Sequence, residues 1–299
     1  MFRKSLDYFK VLISSSILIF LVYYMSINIE MLSKLSFFDI TLFIIIFLSF
    51  YLSLSLPFRY ILKRAVSLKS LFGLSLVSNF LNLFLPMKGG TLVRASILKK
   101  KYKVSIKKYT GISILLSVCS IFILGSFSLI ILMDERLSES IYFHSLSFAA
   151  YFLSISSLGV LVFSKWISAQ IERDYLSDVF KMRNIFITIL SYLMATSIYI
   201  LRYILIFKIF NIELDYFSIS SITILHLSVG LFSILPGNLG LKELSFVGIT
   251  SLYGVPAGIS LVMISFDRIL QILLLSIGSS LYMSHLGLKF SKILNYQKG

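Results

Sequence analysis

Apolar residues run along this chain in long uninterrupted blocks, with none of the alternation or short periodicity of a soluble domain. Val11–Asn28, Phe37–Phe58, Tyr109–Met133, Ile141–Ser164, Ile185–Phe207 and Ala257–Met283 each carry about the 20 predominantly apolar residues that cross a bilayer as a helix. Tyr109–Met133 and Ile141–Ser164 contain no Asp, Glu, Lys or Arg. Ile185–Phe207 holds one charge, Arg202, and Ala257–Met283 holds the adjacent pair Asp267-Arg268. Two shorter runs, Leu71–Met87 and Phe217–Leu235, end differently, each at a Leu-Pro followed by glycine.

Those two endings form a pair. The first reads Leu85-Pro86-Met87-Lys88-Gly89-Gly90 and runs on to Arg94. The second reads Leu235-Pro236-Gly237-Asn238-Leu239-Gly240-Leu241-Lys242-Glu243. Both prolines have glycine four residues on, and they lie 150 positions apart in a chain of 299. Backbone that leaves the helix inside a membrane is tolerated where protein buries it or where it lines a wet cavity. A matched pair of interrupted segments, one in each half, is the best sequence pointer to a transporter's substrate site.

Composition closes off the soluble alternatives. Hydrophobic residues make up 58% of the chain, mean hydropathy is +0.93 and 14% of residues are charged, so a soluble fold would leave too much apolar surface in water. Arg3, Lys4 and Lys10 ahead of the run from Val11 have the charge order of a signal peptide, but no small-residue cleavage site follows. That run is read as a retained first span. The single cysteine, Cys119, lies in an apolar run, which excludes a disulfide framework.

Charge then orients the spans. With a cytoplasmic N-terminus and both interrupted runs entering and leaving on one side, segments 1–10, 59–70, 88–108, 165–184 and 284–299 face the cytoplasm. They hold 22 of the 28 Lys and Arg residues, whereas the outer loops hold Lys34, Arg136 and Lys208. This is the positive-inside bias, and letting either short run cross fully would spoil it. The net charge of +15 is therefore read as topology and not as nucleic-acid affinity. The expected fold is an all-α polytopic membrane protein of six full spans plus two re-entrant helical hairpins arranged as an inverted repeat. It is expected as one membrane domain over 1–299, with half-repeats over approximately 1–133 and 141–299. Both termini are expected in the cytoplasm, and the chain in the inner or plasma membrane.

The motifs resemble a known family. Asn82, Leu85, Pro86, Gly90 and Arg94, followed by Leu235, Pro236, Gly237, Gly240 and Glu243, and then Arg268 in the last span, resemble the flippase-like membrane domain of the lysylphosphatidylglycerol synthetases. Stand-alone relatives belong to the same family, some of them associated with glycosyltransferases. The resemblance covers nearly the whole chain and implies translocation of an anionic phospholipid, an aminoacyl-phospholipid or a polyprenyl-linked sugar. Two positions depart from the family's habit: Lys88 stands where an Arg is frequent, and Thr91 where an acid is frequent. Lys88 keeps the charge without the planar fork that grips a phosphate bidentately. The soluble aminoacyl-transferase domain of the bifunctional relatives does not appear in this chain.

Candidate substrate-binding residues are Asn79, Asn82, Lys88, Arg94, Asn238, Glu243 and Arg268, set among the motif residues Pro86, Gly89, Gly90, Pro236, Gly237 and Gly240. Charges at membrane depth are costly, by about 2.5–3.5 kcal/mol each on insertion scales, and usually pair or face a cavity. Glu243 with Arg268 is accordingly read either as a salt bridge bracing the second hairpin or as part of the binding site. Arg94 has the alternative of lying among the headgroups, and Asn79 and Asn82 that of interhelical hydrogen bonding. Asp267 projects about 100° around the helix from Arg268, so the two cannot share one partner equally. Arg202 is read as snorkelling to the outer headgroups.

No catalytic residues, cofactor or metal are expected. His144, His226 and His285 are scattered, and no nucleophile with its base, phosphate loop or dinucleotide fingerprint is present. The expected partners are a membrane lipid, either an anionic phospholipid or a polyprenyl phosphate, and a glycosyltransferase or lipid-modifying enzyme. Two other functions stay open at this point. One is a non-transporting accessory protein that presents a lipid-linked sugar to a glycosyltransferase. The other is a polytopic glycosyltransferase using Asp134-Glu135, the only adjacent acidic pair.

Overall fold

The computed structural model describes residues 16, 19–24, 26–27, 35–85, 89–131, 155, 158–159, 178–231 and 238–285. Among them every regular element is helical. The helices are α1 (Phe37–Ile61), α2 (Leu68–Phe84), α3 (Gly89–Tyr102), α4 (Ile106–Ile131), α5 (Met182–Ile209), α6 (Tyr216–Val229), α7 (Leu241–Leu252) and α8 (Ala257–His285). Four of these, α1, α4, α5 and α8, are long and apolar enough to cross a membrane, and α2 and α6 are shorter apolar helices. They coincide with four of the six expected spans and with both interrupted runs. The expected spans Val11–Asn28 and Ile141–Ser164 lie mostly outside the described residues, although the described positions between 16 and 27 are helical.

The segments gather into two compact units. One takes residues 1–48, 73–94 and 200–299, and the other takes 49–72 and 95–199. In the first unit α7 packs on both α6 and α8. α2 meets α8 through small residues: a side chain on Gly73 would run into the ring of Tyr282, and one on Gly278 would meet Leu76 Cδ1 at 2.9 Å. Glycine at such crossings lets backbones approach closely, which matters where no hydrophobic drive separates helix from lipid. Apolar residues at the outer faces, such as Phe37, Phe186 and Leu281, are two-thirds or more exposed, as lipid-facing positions would be.

In the second unit the basic connections are tied together by one acid. Asp178 accepts from Lys181 Nζ at 2.7 Å and faces Lys63 at 3.6 Å and Lys108 at 3.8 Å. The hydrogen bond from Lys181, helped by the charges of Lys181, Lys63 and Lys108, holds the Asp178 carboxyl below the usual carboxylate range. α1 closes at Ile61 through Lys63 and Arg64, both with positive φ (52° and 64°), and the Arg64 N–H bonds to Arg59 O at 3.1 Å. Two consecutive non-glycine residues in the left-handed region are sterically unfavourable.

Two elements differ from their sequence expectation. The second interrupted run leaves the helix at Val229, six residues before Leu235, because Gly230 closes it: its N–H reaches Leu227 O at 2.9 Å. The aliphatic end of Lys242 lies against Gly230, 3.0 Å from where a Cβ would stand, so a larger residue there would displace it. The first glycine pair is also not a break but a beginning. Gly89 and Gly90 are the first two residues of α3, which buries Val93, Arg94, Ile97 and Leu98.

Candidate functional site

The first motif is built around the start of α3. A helix leaves its first N–H groups without intrahelical partners. The Gly90 N–H is satisfied from outside the helix by Asn82 Oδ1 at 2.9 Å, across from α2. A Cβ on Gly90 would sit 2.0 Å from Ser78 O, so only glycine lets the two backbones come this close. Asn79 donates from Nδ2 to Ser75 O, four residues back in α2, at 2.9 Å. Both asparagines are thus engaged with backbone, which gives them structural work beside any contact with a ligand. Arg94 is 8% exposed within α3, which sets it apart from the exposed Lys99, Lys100, Lys101, Lys103 and Lys107 that follow it. Pro86 and Lys88 lie outside the described residues.

The second motif carries more charge. Gly240, with φ of 86°, is the N-cap of α7, a backbone position glycine adopts freely. Its N–H donates to Glu243 Oε2 at 2.6 Å, the reach-back half of a capping box. The other carboxylate oxygen, Oε1, accepts from Arg268 Nε at 2.6 Å. Glu243 therefore fixes the first turn of α7 and its attachment to α8 at once. Arg268 also donates from Nη1 to Gln271 Oε1 at 3.3 Å, and both charged side chains are 4% exposed. Asn238, with φ of 54°, donates from Nδ2 to Gly230 O at 3.3 Å, bridging the end of α6 to the start of α7. Pro236 and Gly237 lie outside the described residues.

A second ion pair stands beside the first on α8. Arg202 of α5 pairs with Asp267, adjacent in sequence to Arg268, and also reaches the Asp267 carbonyl. Its guanidinium stacks over Phe43 at 4.8 Å and Phe47 at 5.5 Å. The expectation that Arg202 snorkels to the headgroups is therefore overturned: it is 2% exposed, held by an acid and two rings. The 100° between Asp267 and Arg268 is what allows each to take a separate partner.

His226 is the residue that the sequence reading passed over. It is 1% exposed, packed edge-on to Phe246 and beside Tyr203, and Lys242, Arg268 and Arg202 all act on it electrostatically. Among the described residues His226 Nδ1 and Asn238 Oδ1 are buried without a hydrogen-bond partner. Such atoms are costly to leave unsatisfied; the Asn238 oxygen is open to a donor, and His226 Nδ1 to a donor or an acceptor according to its tautomer. Spacing offered no signal for this histidine, because its neighbours come from α5, α7 and α8. The cluster holds three basic side chains, Arg202, Lys242 and Arg268, against the two carboxylates Glu243 and Asp267. Among the described residues no three His, Cys, Asp or Glu side chains come together to hold a metal.

A family model described as the lysylphosphatidylglycerol synthase TM region matches residues 8–278. The chain belongs to this family. The matched stretch takes in both Leu-Pro segments, Glu243 and Arg268, and so the whole of the charged cluster. Comparisons with curated proteins and with solved structures gave no match. In this member the family's membrane region is helical, with four candidate spans among the described residues.

Proposed function

We propose that this member of the family translocates a lipid with an anionic phosphate headgroup across the inner or plasma membrane. The observation that carries the reading is the buried cluster of α5, α6, α7 and α8. It sets one more basic side chain than carboxylate among apolar helices, beside two buried polar atoms without hydrogen-bond partners. An isolated structural salt bridge needs neither the extra basic side chain nor the open polar atoms. An anionic headgroup bearing hydroxyl or ammonium donors uses both. Arg268 and Lys242 would draw the phosphate, Asn238 and His226 would accept from the headgroup, and the acyl or prenyl tails would stay in lipid.

In this reading the chain has six spans and two re-entrant hairpins, N- and C-termini in the cytoplasm, and two inverted halves whose rocking exposes the site to each face in turn. The process needs no covalent step. A glycosyltransferase or lipid-modifying enzyme would supply or consume the lipid.

Purified protein in vesicles tests the function. Fluorescent anionic phospholipid placed in the inner leaflet should become accessible to an impermeant quencher faster than in protein-free vesicles. Equal rates would leave the accessory reading in its place. Orientation has its own test, because Cys119 is buried and gives little background labelling. Ser138→Cys should react with an impermeant thiol reagent from outside, and Ser105→Cys only from inside. Labelling of either from the opposite side would remove the re-entrant hairpins and the inverted repeat.

A further inference from the structure

The second unit contains a cavity of about 820 Å³ that none of the motif residues line. Its walls carry Arg59, Lys63, Arg64, Lys181 and Arg183 against the one acid Asp178. Five cations around one cavity repel each other, and Asp178 offsets only part of that. Asp178 also gathers lysines from separate segments, bonding Lys181 at 2.7 Å and facing Lys63 at 3.6 Å.

The arginines are set in place independently. Arg59 Nη1 donates to Val66 O at 2.7 Å, and the Arg183 guanidinium lies 4.9 Å from the centre of the Tyr60 ring. Lys63 and Arg64 are the consecutive residues with positive φ. Backbone in that region is conformationally costly and collects at ligand clamps and functional turns. Here it turns two adjacent cations into one cavity.

The opposite part of the wall is apolar. Leu56, Ile187 and Leu190 line it, and the lining runs from Lys181, just ahead of α5, along that helix to Ser191. Ten helical residues rise about 15 Å. That length runs from the basic connection well into a span that is apolar enough for hydrocarbon. A cavity with cations at the basic connection and Leu56, Ile187 and Leu190 farther along the helices fits an amphiphile better than a free anion.

We propose that this cavity is a separate binding site for a lipid carrying a charged phosphate, with the phosphate among Arg59, Arg64 and Arg183 and the first methylenes against Leu56, Ile187 and Leu190. Arginine is suited to the headgroup because its planar fork matches phosphate oxygens bidentately. The site shares no residue with the Glu243–Arg268 cluster, so it stands apart from the translocation reading.

The test is binding of a short-chain fluorescent phosphatidic acid to the full chain purified in an uncharged detergent. The wild-type protein should bind it saturably, and phosphatidylcholine with the same chains should bind at least about tenfold more weakly. The triple variant Arg59→Gln, Arg64→Gln, Arg183→Gln should lose at least about tenfold in affinity, about 1.4 kcal/mol. Lys99→Gln, Lys103→Gln, Lys107→Gln removes the same charge from exposed positions outside the cavity and should bind as wild type does. If the arginine triple fails to fold, Lys63→Gln with Arg64→Gln on the exposed turn takes its place, with the same expected direction. Repeated in the Glu243→Gln, Arg268→Met background, where the buried cluster no longer draws phosphate, the arginine triple should show the same loss of binding. Equal loss in both triple variants would reduce the site to diffuse surface charge, and equal binding of phosphatidylcholine would reduce it to an acyl groove. Displacement of the probe by inorganic phosphate at the probe's own concentration would make it a free-anion site. Each of those three results overturns the proposal.

Discussion

Glu243→Gln alone should lower the detergent melting temperature well beyond what conservative substitutions at exposed positions do, and Arg268→Met alone should do the same. Each leaves one charge buried at 4% exposure without its partner, which costs about 3–5 kcal/mol in a dry site. Glu243 has a further role that sharpens the expectation. Its second oxygen caps the Gly240 N–H, and a neutral Gln amide keeps that bond weakly where Ala would drop it. Glu243→Ala should therefore be less stable than Glu243→Gln. Replacing both partners, as Glu243→Gln with Arg268→Met, removes the uncompensated charge and should recover most of the loss. A double variant no more stable than the worse single would show that the two residues do not form one pair.

Gly90→Ala should destabilise the protein by about 1–3 kcal/mol, the usual cost of overpacking. The added methyl would have to occupy a point 2.0 Å from the Ser78 carbonyl oxygen, and a helix backbone cannot give way as a flexible side chain can. The start of α3 must move off α2, and the Asn82–Gly90 bond should break with it. Gly248 supplies the comparison. A Cβ there meets nothing within 4 Å, so Gly248→Ala should leave stability unchanged or raise it by up to about 1 kcal/mol from helix propensity. If the two alanine variants melt together, close α2–α3 packing is not what the glycine provides.

How much of this was legible in the sequence follows from the range of each interaction. Long apolar runs are local, and α1, α4, α5 and α8 lie where they were expected, with ends within a few residues. The pairing of Glu243 with Arg268 could be anticipated because two opposite charges at membrane depth have few other partners. Arg202 could not be placed, because its acid and its two rings come from α8 and α1, distant in sequence. Gly230 was overlooked because Leu235-Pro236 is the louder signal. The Lys242 stem that packs on it comes from the next helix. His226 carried no pattern of its own and gains meaning only through three basic side chains on other helices. The inverted halves and the hairpin tips depend on segments such as 232–237, which lie outside the described residues.

The central claim is that the buried cluster handles the headgroup and does not merely brace the fold. Leaflet transfer and melting temperature, measured on one preparation of the Glu243→Gln, Arg268→Met double variant, test it most directly. The expected protein melts near the wild-type temperature and moves anionic lipid no faster than empty vesicles. Normal melting with normal transfer would contradict it and take Arg268 out of the site.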